Sequence, residues 1–131
     1  MLGLGAALAR VLRAGDVIAL SGGLGAGKTT LARGLLAALG LEEEAPSPTF
    51  AIVQPYAPPE VSLAVAHVDL YRLDDPAETE ELGLDEYLAD GALLIEWPER
   101  MGNRMWRDAL HLSIEILDDG ARRLTASLPP S

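Results

Sequence analysis

Apolar positions at the start of the chain follow helix-like and then strand-like spacing. Residues 2–13 carry Ala, Leu and Arg at amphipathic spacing and predict a helix. Residues 16–21 form a short apolar run with β-branched side chains, which predicts a buried strand. A glycine-rich turn follows at residues 22–27. Residues 28–39 then predict a helix with its leucines on one side, closed by Gly40.

The next thirty residues alternate between loops and strands. Residues 41–48 contain two prolines and predict a loop, and residues 49–53 are a short strand candidate. Residues 55–60 are again rich in proline and predict a second loop. Residues 61–70 are mostly apolar and predict a strand that ends next to an acidic residue.

The last third of the chain predicts two short helices, a strand and a hairpin. Residues 74–90 hold eight acidic residues and no basic one, with an apolar spacing that favours two helices broken near Gly83. Residues 92–96 predict a buried strand, and residues 110–117 and 122–128 alternate around an Asp-Asp-Gly turn, which predicts a hairpin. Strand–helix units followed by an antiparallel end indicate an α/β protein with a mixed sheet.

Length and charge limit the classes of function. The 131 residues predict one domain covering residues 1–131, because domains usually run to about 100–150 residues. A formal charge of −10 argues against a free-standing nucleic-acid binder, which needs a basic surface. The absence of cysteine excludes disulfides and thiolate metal sites, and two histidines make a multi-histidine metal centre an unfavourable hypothesis. No apolar run is long enough to span a membrane and no secretory leader is recognisable, which predicts a cytoplasmic protein without a membrane partner.

The strongest chemical signal is GGLGAGKT at residues 22–29, which fits G-x-x-x-x-G-K-[ST] between an apolar strand and an amphipathic helix. In such a loop, backbone N–H groups and the helix N-terminus bind phosphates. Lys28, the only lysine in the chain, would reach the β- and γ-phosphates, and the Thr29 hydroxyl would bind Mg²⁺. Thr30 either assists or is an ordinary helix residue. Together with the strand and helix pattern, the motif predicts a P-loop NTPase-like three-layer α/β fold, with helices flanking a mixed β-sheet and a C-terminal antiparallel hairpin.

Two acidic residues and a hydroxyl-bearing loop are candidates to complete this site. Asp69 and Glu96 each end a mostly apolar strand, where a P-loop protein places the acid that holds Mg²⁺ or orients water. Each is either such a residue or a carboxylate facing solvent, and which of them binds the metal stays open. Ser47-Pro48-Thr49-Phe50 is either a switch loop near the γ-phosphate or an ordinary loop.

Two further residues and the acidic segment have competing interpretations. His67 lies two residues before Asp69 and shares its strand face, although a structural role is the favoured interpretation. Trp97, beside Glu96, could stack on a nucleotide, fill the core or anchor an interface. The acidic residues 74–90 form either a solvated face or a docking surface for a basic partner.

In this order, the motifs resemble those of the TsaE (YjeE) family of small bacterial ATPases. The resemblance is carried by LGAGKTT (residues 24–30), SPTF (47–50), HVDLYRL (67–73), IEWPE (95–99) and the C-terminal hairpin. The P-loop alone occurs in a vast superfamily, whereas the combination is highly specific and covers nearly the whole chain.

The resemblance implies a Mg²⁺-dependent ATPase in the formation of threonylcarbamoyladenosine next to the tRNA anticodon. Its implied partners are TsaD and TsaB, with tRNA held only through the complex and ATP hydrolysis needed for repeated turnover by TsaD. The residues implied to bind ATP are Leu24, Gly25, Ala26, Gly27, Lys28, Thr29 and Thr30. Thr29 and Glu96 would bind Mg²⁺. Asp69 would be the acid needed for hydrolysis, Thr49 the switch-loop residue, and Glu96 would also take part in catalysis.

The chain departs from the family pattern at two places. Gly23 stands where members usually have an acidic residue, a change that affects turnover or bound water rather than the phosphate cradle. The segment before the P-loop is shorter than usual by roughly one strand, judged from the position of the motif. Because that segment helps to enclose adenine in the family, we expect weaker nucleotide affinity if the chain starts at Met1.

Two other functions remain as alternatives. A small-molecule kinase shares the P-loop, and Arg100, Arg104 and Arg107 could serve an arginine-bearing lid, for which 131 residues leave little room. A regulatory nucleotide-binding module would change partners without hydrolysis, and the chain has no arginine finger at a recognisable position.

Overall fold

Six strands and three α-helices occur in the part of the chain that the computed structural model describes, residues 2–22, 27–42, 53–73 and 75–127. The strands are β1 (Val17–Ser21), β2 (Val53–Tyr56), β3 (Ala64–Asp69), β4 (Gly91–Glu96), β5 (Leu110–Ile116) and β6 (Arg122–Ser127). The α-helices are α1 (Leu2–Val11), α2 (Lys28–Ala38) and α3 (Leu84–Tyr87), and 3₁₀ helices cover Pro76–Leu82 and Pro98–Arg104.

The strands form one mixed sheet in the order β2-β3-β4-β1-β5-β6. The four inner strands are parallel, whereas β2 and β6 pair antiparallel at the two edges. The predicted mixed sheet and C-terminal hairpin are therefore confirmed. Because parallel strands end at the same edge, the carboxyl ends of β1, β3 and β4 lie next to one another, where α/β proteins bind their ligands.

Helices cover both faces of the sheet, which gives the three predicted layers. On one face, Ile18 of β1 packs with Leu31 of α2, and residues of α1 border this cluster. On the other face, Val17 belongs to a second cluster with Leu84 of α3 and Met101 of the second 3₁₀ helix. Strands β1 and β4 are thus buried on both sides, which explains why they read as uninterrupted apolar runs.

The predicted loop over residues 55–60 is wrong at its start. Strand β2 includes Pro55 and ends at Tyr56, with Pro55 opposite Ala66 of β3. An edge strand tolerates proline because the missing N–H need not serve a second neighbour. Of the strand candidate at residues 49–53, only Val53 is among the described residues. The strand predicted over residues 61–70 is shorter than expected and spans Ala64–Asp69.

The acidic segment forms two short helices, as predicted, and the first is a 3₁₀ helix. Asp75 caps that helix by accepting a hydrogen bond from the Ala77 N–H at 3.0 Å. Gly83 ends it with φ 63°, a left-handed conformation that favours glycine. Among the described residues, no helix combines the length and apolar character that crossing a membrane requires.

Helix α1 crosses α2 closely at Gly5. A Cβ atom built on Gly5 would lie 2.6 Å from the Leu35 backbone nitrogen and 2.7 Å from the Leu31 carbonyl oxygen. Both atoms belong to the backbone of α2, so they can move only if the two helices separate. The crossing therefore holds α1 directly against the helix that begins at Lys28.

We expect Gly5→Val to lower the free energy of unfolding by about 2–3 kcal/mol, the upper part of the range for overpacked cores. Ala7→Val, at an exposed position of α1, is the matched control and should lower the free energy of unfolding by about 0.5 kcal/mol through helix propensity alone. Urea unfolding of both variants measures the difference. Equal stabilities for the two variants would contradict the close crossing.

Candidate functional site

The glycine-rich segment joins the carboxyl end of β1 to the first turn of α2. Gly22 has φ 149°, and Gly27 caps α2 with φ 110° and ψ 10°. A side chain at Gly27 would be strained, because L residues rarely adopt this left-handed conformation. The predicted phosphate-binding residues Leu24, Gly25 and Ala26 lie outside the described residues. What the structure describes is a helix N-terminus placed at the edge where the parallel strands end.

Lys28, the first residue of α2, carries a buried ammonium group. The residue is 5% exposed, and its Nζ has no hydrogen-bond partner among the described residues. Nζ lies 3.6 Å from the centre of the Trp97 ring, within the range of a cation–π contact. Burial lowers the pKa of Lys28, while the negative charges of Glu96, Glu99 and Asp69 oppose that shift. A buried cation to which the described residues offer no acceptor fits an anionic group such as a phosphate.

Asp69 and Glu96 end neighbouring parallel strands and are opposite each other in the register. Side chains of paired residues share a face, so both carboxylates project on the α2 side of the sheet. Glu96 is 3% exposed, whereas Asp69 is half-buried. The Tyr71 N–H donates a hydrogen bond to Asp69 Oδ1 at 2.9 Å.

Burial raises the pKa of Asp69 above its ordinary value, and the negative charge of Glu96 adds to the shift. The hydrogen bond from the Tyr71 N–H and the positive charge of Lys28 oppose it. A carboxylate whose pKa is raised in this way is a better proton acceptor than an exposed aspartate. Its position at the strand edge and its basicity both suit an acid–base role.

His67 contacts the site rather than the core alone. It precedes Asp69 by two residues on β3, and its Nε2 lies 2.6 Å from Glu96 Oε2. Both side chains are buried. A structural role was the favoured interpretation of this histidine from the sequence. The β3–β4 register that brings it to Glu96 is not visible in the sequence.

Trp97 connects the site to the second core cluster. Its backbone is left-handed, with φ 60° and ψ 51°, which is uncommon for a bulky residue. Its ring is tilted against the Tyr71 ring at a centroid distance of 4.9 Å, and it packs beside the cluster under β4. Since Lys28 lies on the same ring, Trp97 positions the lysine as well as filling space.

The structure brings together three of the predicted site residues, Lys28, Asp69 and Glu96. Thr29 is the second residue of α2 and its side chain is not among those described, whereas Thr30 is exposed in the same turn. Thr49 and its loop lie outside the described residues. Within the described ranges, no group of three or more acidic or histidine side chains could hold a metal ion.

Three comparisons with known proteins bear on this chain. A family model described as threonylcarbamoyl adenosine biosynthesis protein TsaE matches residues 1–124. A Streptomyces coelicolor TsaE is 44% identical over 113 residues, covering 86% of this chain and 76% of the relative. A Bacillus subtilis TsaE is 39% identical over 112 residues, covering 85% of this chain and 68% of the relative. The crystal structure of Bacillus subtilis YdiB is similar with a TM-score of 0.79 at 29% identity, covering 98% of this chain and 78% of the other.

Proposed function

Because the chain belongs to the TsaE family of threonylcarbamoyl adenosine biosynthesis proteins, we propose that it is a Mg²⁺-dependent ATPase of that pathway. Its hydrolysis of ATP would sustain the turnover of TsaD, which forms the threonylcarbamoyl group on adenosine next to the tRNA anticodon. The observation that carries the proposal is the buried Nζ of Lys28, which has no hydrogen-bond partner among the described residues and lies beside two strand-end carboxylates.

The described residues fit the triphosphate of ATP. Lys28 supplies an ammonium group for which the described part of the chain offers no hydrogen-bond acceptor, and the N-terminus of α2 adds backbone donors and a positive dipole end. The proposed ATP-binding residues are those of the LGAGKTT motif, residues 24–30. The positive Lys28 would bind phosphate, and a neighbouring carboxylate would bind the metal. The opposite charges of these side chains partly cancel within the site.

Thr29 and Glu96 are the residues that would hold Mg²⁺. Mg²⁺ sites of this kind use one or two protein oxygens, with phosphates and waters as the other ligands. When bound, the ion neutralises negative charge on the phosphates. Glu96 is buried at the end of β4, so its carboxylate is held close to the lysine rather than exposed to bulk water.

Asp69 is proposed to orient the attacking water and accept its proton. Its pKa, raised by burial, suits proton transfer, and the hydrogen bond from the Tyr71 N–H fixes its orientation. Thr49 is proposed as the switch-loop residue that completes the site in the nucleotide-bound protein.

The proposed partners are TsaD and TsaB, with tRNA contacted only through the complex. A net charge of −10 suits a component that does not hold tRNA by itself. We also propose that the protein acts in the cytoplasm and that residues 1–131 form one functional domain.

ATP hydrolysis by the purified chain, with Mg²⁺ and with or without its cognate TsaB–TsaD pair, tests the proposal. We expect slow hydrolysis by the chain alone and marked stimulation by the pair. Tight ATP binding without hydrolysis in either condition would favour a regulatory nucleotide-binding module. Robust phosphate transfer to a small-molecule acceptor would favour a kinase.

A further inference from the structure

The carboxylate of Glu96 is held by a histidine on the neighbouring strand. His67 is 1% exposed, and its Nε2 lies 2.6 Å from Glu96 Oε2. In the β3–β4 register His67 is opposite Leu94, so Glu96 lies two residues further along β4 on the same face. The contact is therefore a diagonal cross-strand pair, fixed by the backbone pairing of two buried strands.

The other ring nitrogen of His67 identifies which atom carries the proton. Nδ1 is buried and has no hydrogen-bond partner among the described residues. A hydrogen on Nδ1 would be a buried donor without an acceptor in the described part of the chain, which is unfavourable. A hydrogen on Nε2 instead points at a carboxylate oxygen. The ring is accordingly assigned as the tautomer that donates from Nε2 to Glu96.

We propose that His67 is a positioning residue that holds the Glu96 carboxylate in the orientation needed for the metal–nucleotide complex. A glutamate side chain has three rotatable bonds, and fixing it beforehand removes an entropic cost from metal binding. Mg²⁺ is sensitive to such placement because it demands nearly ideal octahedral geometry. This inference rests on the proposed function, since it assigns to Glu96 a role at the metal.

The expected size of the effect follows from comparable sites. Removing a hydrogen-bond partner of a metal ligand typically costs 10–100-fold in metal affinity or activity. The loss should fall on the Mg²⁺-dependent part of ATP binding, because Lys28 and the helix N-terminus would bind phosphate without the help of His67. If His67 had only a structural role, its substitution would instead lower ATP affinity equally with and without Mg²⁺.

The test compares His67→Gln with His67→Asn in the full chain. The two variants bury the same amide, but only the longer glutamine places its nitrogen near the position of Nε2. Calorimetry measures ATP affinity in saturating Mg²⁺ and in EDTA, and the ratio of the two affinities is the readout. His111→Gln is the matched control, because it makes the same change at a histidine on β5. His111 pairs with Ala19 of β1.

We expect His67→Asn to reduce the Mg²⁺-dependent ratio by about 10–100-fold, with affinity in EDTA nearly unchanged. His67→Gln and His111→Gln should keep the wild-type ratio to within about threefold, a small part of that expected loss. A wild-type ratio in His67→Asn, or an equal loss of affinity in both buffers, would overturn the inference while the proposed function stands. Lack of Mg²⁺-dependent ATP binding by the wild-type protein would instead overturn the proposed function and this inference together.

Discussion

Lys28→Met should abolish most ATP binding without destabilising the nucleotide-free protein. Removing one partner of a buried, hydrogen-bonded charge pair costs about 2–5 kcal/mol, which corresponds to roughly 30- to 5,000-fold in affinity. The lysine is expected to form such a pair with phosphate, because its Nζ is buried beside the N-terminus of α2. Calorimetric titration with ATP and Mg²⁺ measures the loss.

Although Lys28→Met should weaken ATP binding, it should not lower the free energy of unfolding of the nucleotide-free protein. In the nucleotide-free protein, Nζ lacks a hydrogen-bond acceptor among the described residues, a deficit worth about 1–3 kcal/mol. The cation–π contact with Trp97 offsets about 0.5–2 kcal/mol of this cost. Lys28→Met removes both the unsatisfied ammonium group and this contact, so the free energy of unfolding should be unchanged or about 1 kcal/mol higher. Methionine keeps a similar length and is readily packed against an aromatic ring.

Thermal unfolding with and without ATP–Mg²⁺ separates the two effects. The wild-type protein should melt at a higher temperature with the ligand, since a ligand that binds only the folded state stabilises it, whereas Lys28→Met should not respond. Arg33→Met on the same helix is the control for loss of a basic side chain and should retain the response. A nucleotide-free Lys28→Met protein that melts well below wild type would contradict the view that this ammonium group is a cost to the fold.

The pH dependence of the free energy of unfolding, compared between the wild type and Lys28→Met, gives an independent check. Burial lowers the pKa of Lys28 below its usual 10.5, so between the lowered value and 10.5 the unfolded chain binds more protons than the folded one. Stability therefore rises with pH in that interval through this group. The free energy of unfolding of the wild type, minus that of Lys28→Met, should increase as the pH rises towards 10.5. A constant difference in urea unfolding over this range would contradict the assigned shift.

Asp69→Asn should lower ATP turnover by about 100- to 10,000-fold, the contribution usual for a positioned proton acceptor. ATP affinity should stay within a few-fold of wild type, because asparagine keeps an oxygen that can accept the hydrogen bond from the Tyr71 N–H. Removing a negative charge near Lys28 should, if anything, favour phosphate binding. Single-turnover hydrolysis in the presence of TsaD and TsaB gives the rate, and calorimetry gives the affinity.

Exposed Asp90 provides the matched control, and Asp90→Asn should leave both quantities unchanged. In the wild-type protein, turnover should fall as the pH drops through the raised pKa of Asp69, because protonation removes the acceptor. Equal losses of affinity and turnover in Asp69→Asn would reject the role assigned to this carboxylate.

The positions of the candidate site residues could be predicted wherever a run of apolar residues along the chain determines the strand that carries them. β1 and β4 are buried on both faces, so their apolar runs identified them, and their ends located Glu96 and the glycine-rich turn. The contact of His67 with Glu96 was not predictable, because it depends on which residues of β3 and β4 pair. The extent of β2 was missed for another reason. Pro55 is typical of loops, and only its place at the edge of the sheet makes it compatible with a strand.

The sheet order has a consequence for the synthesis of the protein. β1, which leads into the glycine-rich turn, is among the first segments to be made, yet its two neighbours are β4 and β5, which come about seventy residues or more later. While the ribosome still holds the second half of the chain, β1 has neither partner strand, and Glu96 is not yet beside Lys28. The nascent protein is therefore unable to form the complete proposed ATP site until most of its residues have emerged.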